Sequence, residues 1–145
     1  MSDQEWVSKR DLALGWQTLL VAAEAARERA YAPYSQFVVG AAVRTETGRI
    51  YEGCNVENAS YGLTVCAERV AIWNALAHGD ERIVALALVT EAGDAPCGAC
   101  RQVMAEFGDE DLSVLVANAQ GRCWFTALRE LLPYSFTRSD LERPS

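Results

Sequence analysis

The stretch IVALALV at residues 83–89 carries the clearest secondary-structure signal in the chain. A short apolar run that contains β-branched residues is typical of a strand buried on both faces of a sheet. Helical spacing of apolar residues precedes it at 66–78, and PCGACRQVMAEF predicts a second helix after it, over about 98–107. The residues expected on the buried face of the first of these helices are Cys66, Val70, Trp73 and Ala77. This part of the sequence therefore predicts a central strand between two helices.

The rest of the chain extends this strand into a layered fold. Residues 8–29 have the spacing of an amphipathic helix, which the APYSQ segment ends because proline cannot continue it. Its inward positions are Trp16, Leu19, Leu20 and Ala23. Further strands are predicted at 37–44, 49–56, 112–118 and 122–126, with a short helix ending at Pro133. The order predicts one α/β domain over 1–145, a three-layer sandwich with a central mixed five-stranded sheet flanked by helices.

Charge and hydropathy argue against several classes of partner. The chain has 145 residues, with 13 Lys and Arg against 20 Asp and Glu, and a net charge of −7. Proteins that grip a nucleic-acid backbone show a basic patch or stripe, whereas the basic residues here are scattered. The longest apolar run is far shorter than the ~18–20 residues of a membrane span. The polar start lacks the apolar core of a secretory signal, so we expect a cytoplasmic protein that binds neither nucleic acid nor membrane.

Three of the five cysteines have the spacing of metal ligands. An odd number of cysteines in a chain without an export signal argues against a disulfide framework. Cys97 and Cys100 are three apart at the start of one predicted helix, and Cys66 begins another. The positive end of a helix dipole favours thiolate over thiol, and a zinc ion with three protein ligands keeps one position open, as catalytic sites do.

The competing interpretation is a structural zinc site with four cysteines. It would need a second Cys-x-x-Cys, and Cys54 lies twelve residues from Cys66. His78 is about three turns down the predicted helix from Cys66, too far to share an ion. We therefore favour an open, catalytic site and expect Cys54 and Cys123 to be small buried residues.

Glu68 follows Cys66 by two positions and has two interpretations. Alone, a glutamate in the first turn of a helix merely complements the dipole. Together with the cysteines, C-A-E and P-C-G-A-C match the zinc deaminase signature, in which this glutamate is the general acid/base and not a ligand. Three thiolates leave the zinc cluster negative, which weakens the acidification of a bound water. Arg69 and Arg101 each lie close to a predicted ligand in the sequence, and either could compensate that charge.

Several linked motifs resemble the cytidine deaminase family, specifically its short, three-cysteine, homotetrameric type. They are YAPYSQFVVGAAV, GCNVENASYG, VCAER, PCGACRQVMAEF and LLPYSF, in that order over roughly residues 30–136. The resemblance implies one Zn²⁺ per subunit held by Cys66, Cys97 and Cys100, with Glu68 as proton shuttle. It also implies substrate contacts from Phe37, Asn55, Glu57, Tyr61 and the main chain of Ala67, and a thiolate partner in Arg69. Subunit contacts are implied at Tyr34, Tyr61 and Phe136, with Phe136 reaching a neighbour's active site.

The resemblance implies hydrolytic deamination of cytidine and 2′-deoxycytidine to uridine and 2′-deoxyuridine, with release of ammonia, in pyrimidine salvage. Two alternatives remain at this point: a deaminase for another aminopyrimidine nucleoside, such as a blasticidin-type antibiotic, and a non-catalytic domain stabilised by zinc. The segment that would close the site departs from the family pattern at Tyr134 and Thr137. Of the site residues that the resemblance implies, Phe136 is therefore the one whose role most needs to be compared with the structure.

Overall fold

The computed structural model describes residues 4–142, and these form one mixed sheet with helices on both faces. The strands are β1 Val7–Ser8, β2 Gly40–Thr45, β3 Ile50–Cys54, β4 Ile83–Val89, β5 Ser113–Ala117 and β6 Arg122–Ala127. The helices are α1 Leu14–Arg27, α2 Ala67–Ala77, α3 Gly98–Phe107, α4 Leu128–Leu131 and α5 Arg138–Glu142. The predicted α/β sandwich is confirmed, while residues 1–3 and 143–145 of the predicted domain lie outside the described residues. None of the helices within 4–142 combines the length and apolar character needed to cross a membrane.

The sheet has six strands in the order β1-β6-β5-β4-β2-β3, one more than predicted. β4 and β5 run parallel, and every other neighbouring pair is antiparallel. The additional strand β1 pairs Val7 with Cys123 and Ser8 with Arg122 at the edge of the sheet. The helix predicted over 8–29 is correspondingly shorter, because Ser8 is in this strand and a 3₁₀ turn at Lys9–Asp11 precedes α1.

The sheet separates two cores. Leu86 and Leu88 on β4 face the core beneath α2 and α3, whereas Ala85 and Ala87 face the core beneath α1. The prediction that 83–89 is a strand buried on both faces is therefore confirmed, apart from the exposed Val84. Helix α1 also buries the predicted face, with Leu19, Leu20 and Ala23 inaccessible and Trp16 half-buried.

The buried face predicted for α2 is wrong. Trp73 is 46% exposed, and Val70 and Ala77 are not in the core. The residues that α2 buries are Ala67, Glu68, Ala71, Ile72 and Ala75. Three of these five residues are alanines, which allow α2 to pack closely on the sheet.

Two glycines allow this close packing, one on each face. A Cβ atom at Gly40 would lie 2.0 Å from the carbonyl oxygen of Ala23 on α1. A Cβ atom at Gly53 would lie 2.3 Å from the main-chain nitrogen of Ala71 and 2.5 Å from the carbonyl oxygen of Ala67. A Cβ atom at either glycine would therefore collide with the backbone of a helix unless that backbone moved. Gly53 therefore sets the height of the N-terminal end of α2 above the sheet, and this end carries the predicted site.

Candidate active site

The three predicted ligands converge between the N-termini of α2 and α3. Cys66 and Cys97 are the N-cap residues of the two helices, and Cys100 is in the first turn of α3. Their sulfur atoms lie within 4.8 Å of one another, with 3.7 Å between Cys66 and Cys97 and 3.4 Å between Cys97 and Cys100. All five cysteines are free thiols, and Cys54 and Cys123 lie outside this group. The helix starts inferred from spacing are thus the elements that bring the thiols together.

The arrangement of these thiols fits a zinc ion. Tetrahedral zinc with Zn–S bonds of about 2.3 Å separates its sulfur ligands by about 3.8 Å, close to the separations observed. The ligands are soft sulfur donors at two helix N-termini, where N–H groups and the dipole stabilise negative charge. Three ligands leave a fourth position, which is the coordination of a catalytic rather than a structural zinc site.

The thiols already differ in acidity through their mutual contacts. Hydrogen bonding from Cys100, supported by Arg69, lowers the pKa of Cys66 to about 5. The pKa of Cys100 is raised, because its thiol donates to Cys66 and because it is buried. Cys66 is therefore the first of this pair to become thiolate.

Arg69, and not Arg101, contacts a thiol. Its Nη2 atom donates to the Cys66 sulfur at 3.5 Å, and its buried Nε atom has no hydrogen-bond partner among the described residues. Arg101 instead donates to two carbonyl oxygens, those of Pro96 at 2.7 Å and Leu131 at 2.8 Å. Of the two candidates, only Arg69 lies where it can compensate thiolate charge, while Arg101 ties the start of α3 to the end of α4.

Glu68 is buried beside the thiols. It is in the first turn of α2, its side chain is 3% exposed, and it lines the same cavity as Cys66 and Cys97. Burial is the main reason that the pKa of Glu68 is raised to about 7, with a further contribution from the charge of Cys66. A carboxyl group of this acidity exchanges protons readily near neutral pH, which is the property required of a general acid/base. A glutamate that only complemented the dipole would lie in solvent.

A cavity of about 290 Å³ opens next to this cluster. Of the predicted residues, it is lined by Phe37, Asn55, Glu57, Cys66, Glu68 and Cys97. Its surface is mostly apolar with a few polar groups, as expected for a small-molecule site. A larger groove of about 1030 Å³ runs between α3 and the C-terminal segment, but it contains none of the three thiols.

Asn55 and Glu57 organise the wall that carries Phe37. The Asn55 side chain accepts from the main-chain N–H of Val39 at 2.9 Å and donates to the carbonyl oxygen of Phe37 at 2.7 Å. The Glu57 carboxylate accepts from the main-chain N–H groups of Tyr34 and Ser35 at 2.9 and 3.1 Å, and from the Ser35 hydroxyl. These hydrogen bonds, above all that from the Ser35 hydroxyl, lower the pKa of Glu57 and keep it charged.

The remaining predicted residues do not line the cavity of this chain. Tyr34 and Tyr61 are exposed and form an edge-to-face pair with centroids 6.1 Å apart. Ala67 is fully buried at the start of α2. Phe136 is 60% exposed, and its carbonyl oxygen accepts from the Gln102 side chain at 2.7 Å. The roles predicted for these residues stay predictions.

The structure adds cavity residues that the sequence did not indicate. They are Ser35, Val39, Thr64, Val65, Leu88, Thr90, Asp94 and Ala95. Ser35, Val39 and Val65 lie within motifs quoted above, YAPYSQFVVGAAV and VCAER, but nothing in those motifs marked them individually. Thr90, Asp94 and Ala95 lie in the loop between β4 and α3, and only the folding of that loop against the cysteine cluster brings them to the cavity.

Comparison with known proteins agrees with this geometry. A family model for the cytidine and deoxycytidylate deaminase zinc-binding region matches residues 16–116. A cytidine deaminase from Halalkalibacterium halodurans is 49% identical over 127 residues, covering 86% of this chain and 96% of the relative. One from Sporosarcina psychrophila is 46% identical over 127 residues, covering 86% and 93%.

The comparison with solved structures also finds cytidine deaminases. A crystal structure of cytidine deaminase from Burkholderia pseudomallei superposes with a TM-score of 0.80 at 53% identity, covering 83% of this chain and 98% of that one. One of cytidine deaminase from Mycobacterium tuberculosis superposes with a TM-score of 0.74 at 41% identity, covering 86% and 98%. The family model spans the zinc-ligand candidates and Glu68, and the relatives match over most of their own length. The chain therefore belongs to the cytidine and deoxycytidylate deaminase family of zinc-binding proteins.

Proposed function

We propose that this chain is a zinc-dependent cytidine deaminase that hydrolyses cytidine and 2′-deoxycytidine to uridine and 2′-deoxyuridine, releasing ammonia. The observation that carries the proposal is the burial of Glu68 beside three convergent thiols at one cavity. The names of the relatives support cytidine as the substrate. A role in pyrimidine salvage is part of the proposal.

In the proposed reaction Glu68 moves the protons. Bound zinc supplies Lewis acidity, which makes water a better nucleophile near neutral pH. Glu68 accepts a proton from the attacking water and delivers it to N3 of the base, so that C4 becomes electrophilic. After the resulting hydroxide adds to C4, Glu68 transfers the proton of the new C4 hydroxyl group to the amino nitrogen. The C4–N bond then breaks, and ammonia leaves as the C4 carbonyl forms. Burial raises the pKa of Glu68, which favours a carboxyl group that takes and returns a proton at each of these steps.

The other cavity residues orient the nucleoside. Asn55 and Glu57 are proposed to hold the ribose 3′-hydroxyl through an amide N–H and a carboxylate oxygen, respectively. Phe37 is proposed to pack on the pyrimidine ring from the wall that this pair organises. The main-chain N–H of Ala67, in the first turn of α2, is proposed to donate to the base carbonyl.

The charges of the cavity favour a nucleoside over a nucleotide. Three carboxyl groups line it, those of Glu57, Glu68 and Asp94, and its lining among the described residues includes no lysine, arginine or histidine. A 5′-phosphate would bring at least one further negative charge into this surface without a cationic partner. We therefore expect cytidine to be a much better substrate than CMP.

The assembly is proposed to be a cytoplasmic homotetramer with one zinc ion per subunit. The exposed aromatic side chains of Tyr34, Tyr61 and Phe136 are the surfaces that such an assembly would bury. Phe136 is proposed to reach the site of a neighbouring subunit. Sedimentation velocity with Phe136→Ala as the variant tests this part separately from the chemistry.

The test of the proposed function is turnover measured together with metal content. Purified protein is assayed by the ultraviolet change on deamination with cytidine, 2′-deoxycytidine, cytosine, CMP and blasticidin S, and zinc is measured on the same sample. Turnover of the two nucleosides with about one zinc per chain is expected. Zinc without turnover of any substrate would instead identify a non-catalytic domain, and turnover of blasticidin S alone would identify the antibiotic deaminase.

A further inference from the structure

The loop between β4 and α3, residues 90–96, connects the cavity wall directly to Cys97. Thr90, Asp94 and Ala95 line the cavity. The loop has no regular secondary structure, so its shape depends on side-chain contacts. The Thr90 hydroxyl oxygen accepts from the main-chain N–H groups of Gly93 and Asp94, both at 2.8 Å.

Two tryptophans meet this loop at Gly93. The Trp124 indole N–H donates to the Gly93 carbonyl oxygen at 3.1 Å. The Trp6 ring lies so close that a Cβ atom at Gly93 would be 2.8 Å from its Cη2 atom, and Gly93 also has a φ of +81°. The two indoles pack edge to face, with centroids 6.4 Å apart and an angle of 62°. The Gly93 peptide is thus held by two indoles and by the Thr90 hydroxyl.

Trp6 is brought to the loop by strand β1. Val7 and Ser8 pair with Cys123 and Arg122 on β6, and the Arg122 guanidinium donates to the Trp6 carbonyl oxygen at 3.3 Å. Both Trp6 and Trp124 lie outside residues 16–116, the range that the family model matches. The ends of the chain, outside that range, therefore supply the packing that fixes one wall of the cavity.

We propose that Trp6 is a positioning residue for the active site, acting through Gly93 on the loop that carries Asp94, Ala95 and Cys97. The inference rests on the proposed function, since it takes Cys97 as a zinc ligand and the cavity as the nucleoside site. Without the Trp6 ring, the Gly93 peptide loses the packing on one side, and the loop gains freedom next to Cys97. Outer contacts that orient metal ligands typically change metal affinity 10–100-fold when removed.

The test compares Trp6→Ala with a matched variant, Trp16→Ala. Trp16 is also half-buried and also packs edge to face on an aromatic residue of β6, Phe125, with centroids 5.0 Å apart. Trp16 packs with the core on the α1 side of the sheet, whereas Trp6 packs with the core that includes Cys66 and Cys100. The two substitutions therefore remove the same type of side chain from opposite faces of the sheet. Trp6→Phe keeps a ring against Gly93, and Trp6→Leu replaces Trp6→Ala if the latter does not fold.

Three quantities are measured on each variant: the rate of zinc release to a chromogenic chelator, and kcat and KM for cytidine. Trp6→Ala is expected to release zinc roughly 10-fold faster and to raise KM more than it lowers kcat, because Glu68 on α2 is untouched. Trp6→Phe is expected to restore most of the wild-type zinc release rate and KM. Trp16→Ala is expected to match the wild type in zinc release, kcat and KM, although its Tm falls about as much as that of Trp6→Ala. Wild-type behaviour of Trp6→Ala, or equal changes in both tryptophan variants, would overturn the proposal. If the wild-type chain binds zinc but leaves cytidine unchanged, the proposed function fails while zinc release still tests the role of Trp6.

Discussion

Replacement of Glu68 by glutamine is the sharpest test of the proposed chemistry. The two side chains have nearly the same size, so the change leaves no void at a position that is 3% exposed, and all three thiols are retained. Glutamine cannot accept and return a proton. Zinc content and fold should therefore be retained while turnover is lost.

The size of the loss follows from the role assigned to this carboxyl group. General acid/base catalysis contributes about 10²–10⁴ to the rate, so kcat should fall by at least about 100-fold. That corresponds to about 3–5 kcal/mol in the activation barrier. We expect the upper end, because one residue serves successive proton transfers and no other carboxyl group is as deeply buried in the cavity among the described residues.

The assay follows the ultraviolet change as cytidine becomes uridine, with zinc content and Tm measured on the same preparation. Glu46→Gln is the matched control, since Glu46 is exposed in the turn between β2 and β3, outside the cavity. It should behave as the wild type. Retention of more than about a tenth of the activity by Glu68→Gln would be too much for a general acid/base and would refute the role.

Two further predictions concern the metal and the acid stability. Cys97→Ser should lower the zinc content from about one per chain towards zero, whereas Cys54→Ser should retain it, as measured by elemental analysis of dialysed protein. The Asp80 carboxylate accepts from the Tyr51 hydroxyl at 2.6 Å, and this bond lowers the pKa of Asp80. The charged Asp80 carboxylate therefore stabilises the fold above its ordinary pKa of about 4, and this contribution is lost as the pH falls further. Between pH 6 and pH 3 the free energy of unfolding should fall more for the wild type than for Asp80→Asn. Urea midpoints that fall equally for both proteins would contradict this.

The sequence predicted best what depends on local pattern. The strand at 83–89 and the helix at 98–107 have the predicted bounds, because an apolar β-branched run and a helix start marked by Pro96 are both local signals. The clustering of Cys66, Cys97 and Cys100 could also be predicted, since three thiols at two helix starts need only the helices to be placed correctly. The convergence of those helices on one point remained an inference until the structure gave the sulfur separations.

What the sequence did not predict depends on contacts between distant residues. β1 is two residues long and pairs with residues more than a hundred positions away, so no periodic signal marks it. The buried face of α2 was misjudged because Trp73 suggested the core, whereas the close approach of α2 at Gly53 places alanines, Ala67 and Ala71, against the sheet. Arg69 and Arg101 both lie close to a cysteine in the sequence, and only the fold gives one a sulfur and the other two carbonyl oxygens.

The hydrogen bonds of Asn55 and Glu57 have a consequence for changing the substrate range. Both residues proposed to hold the sugar also fix the backbone from Tyr34 to Val39, including Phe37. Sugar recognition and loop folding therefore share the same atoms, and a substitution there alters both at once. Variants that accept modified riboses should arise more readily at Asp94 and Ala95, which line the same cavity, because the hydrogen bonds of Asp94 are made to Thr90 and not to the backbone that carries Phe37.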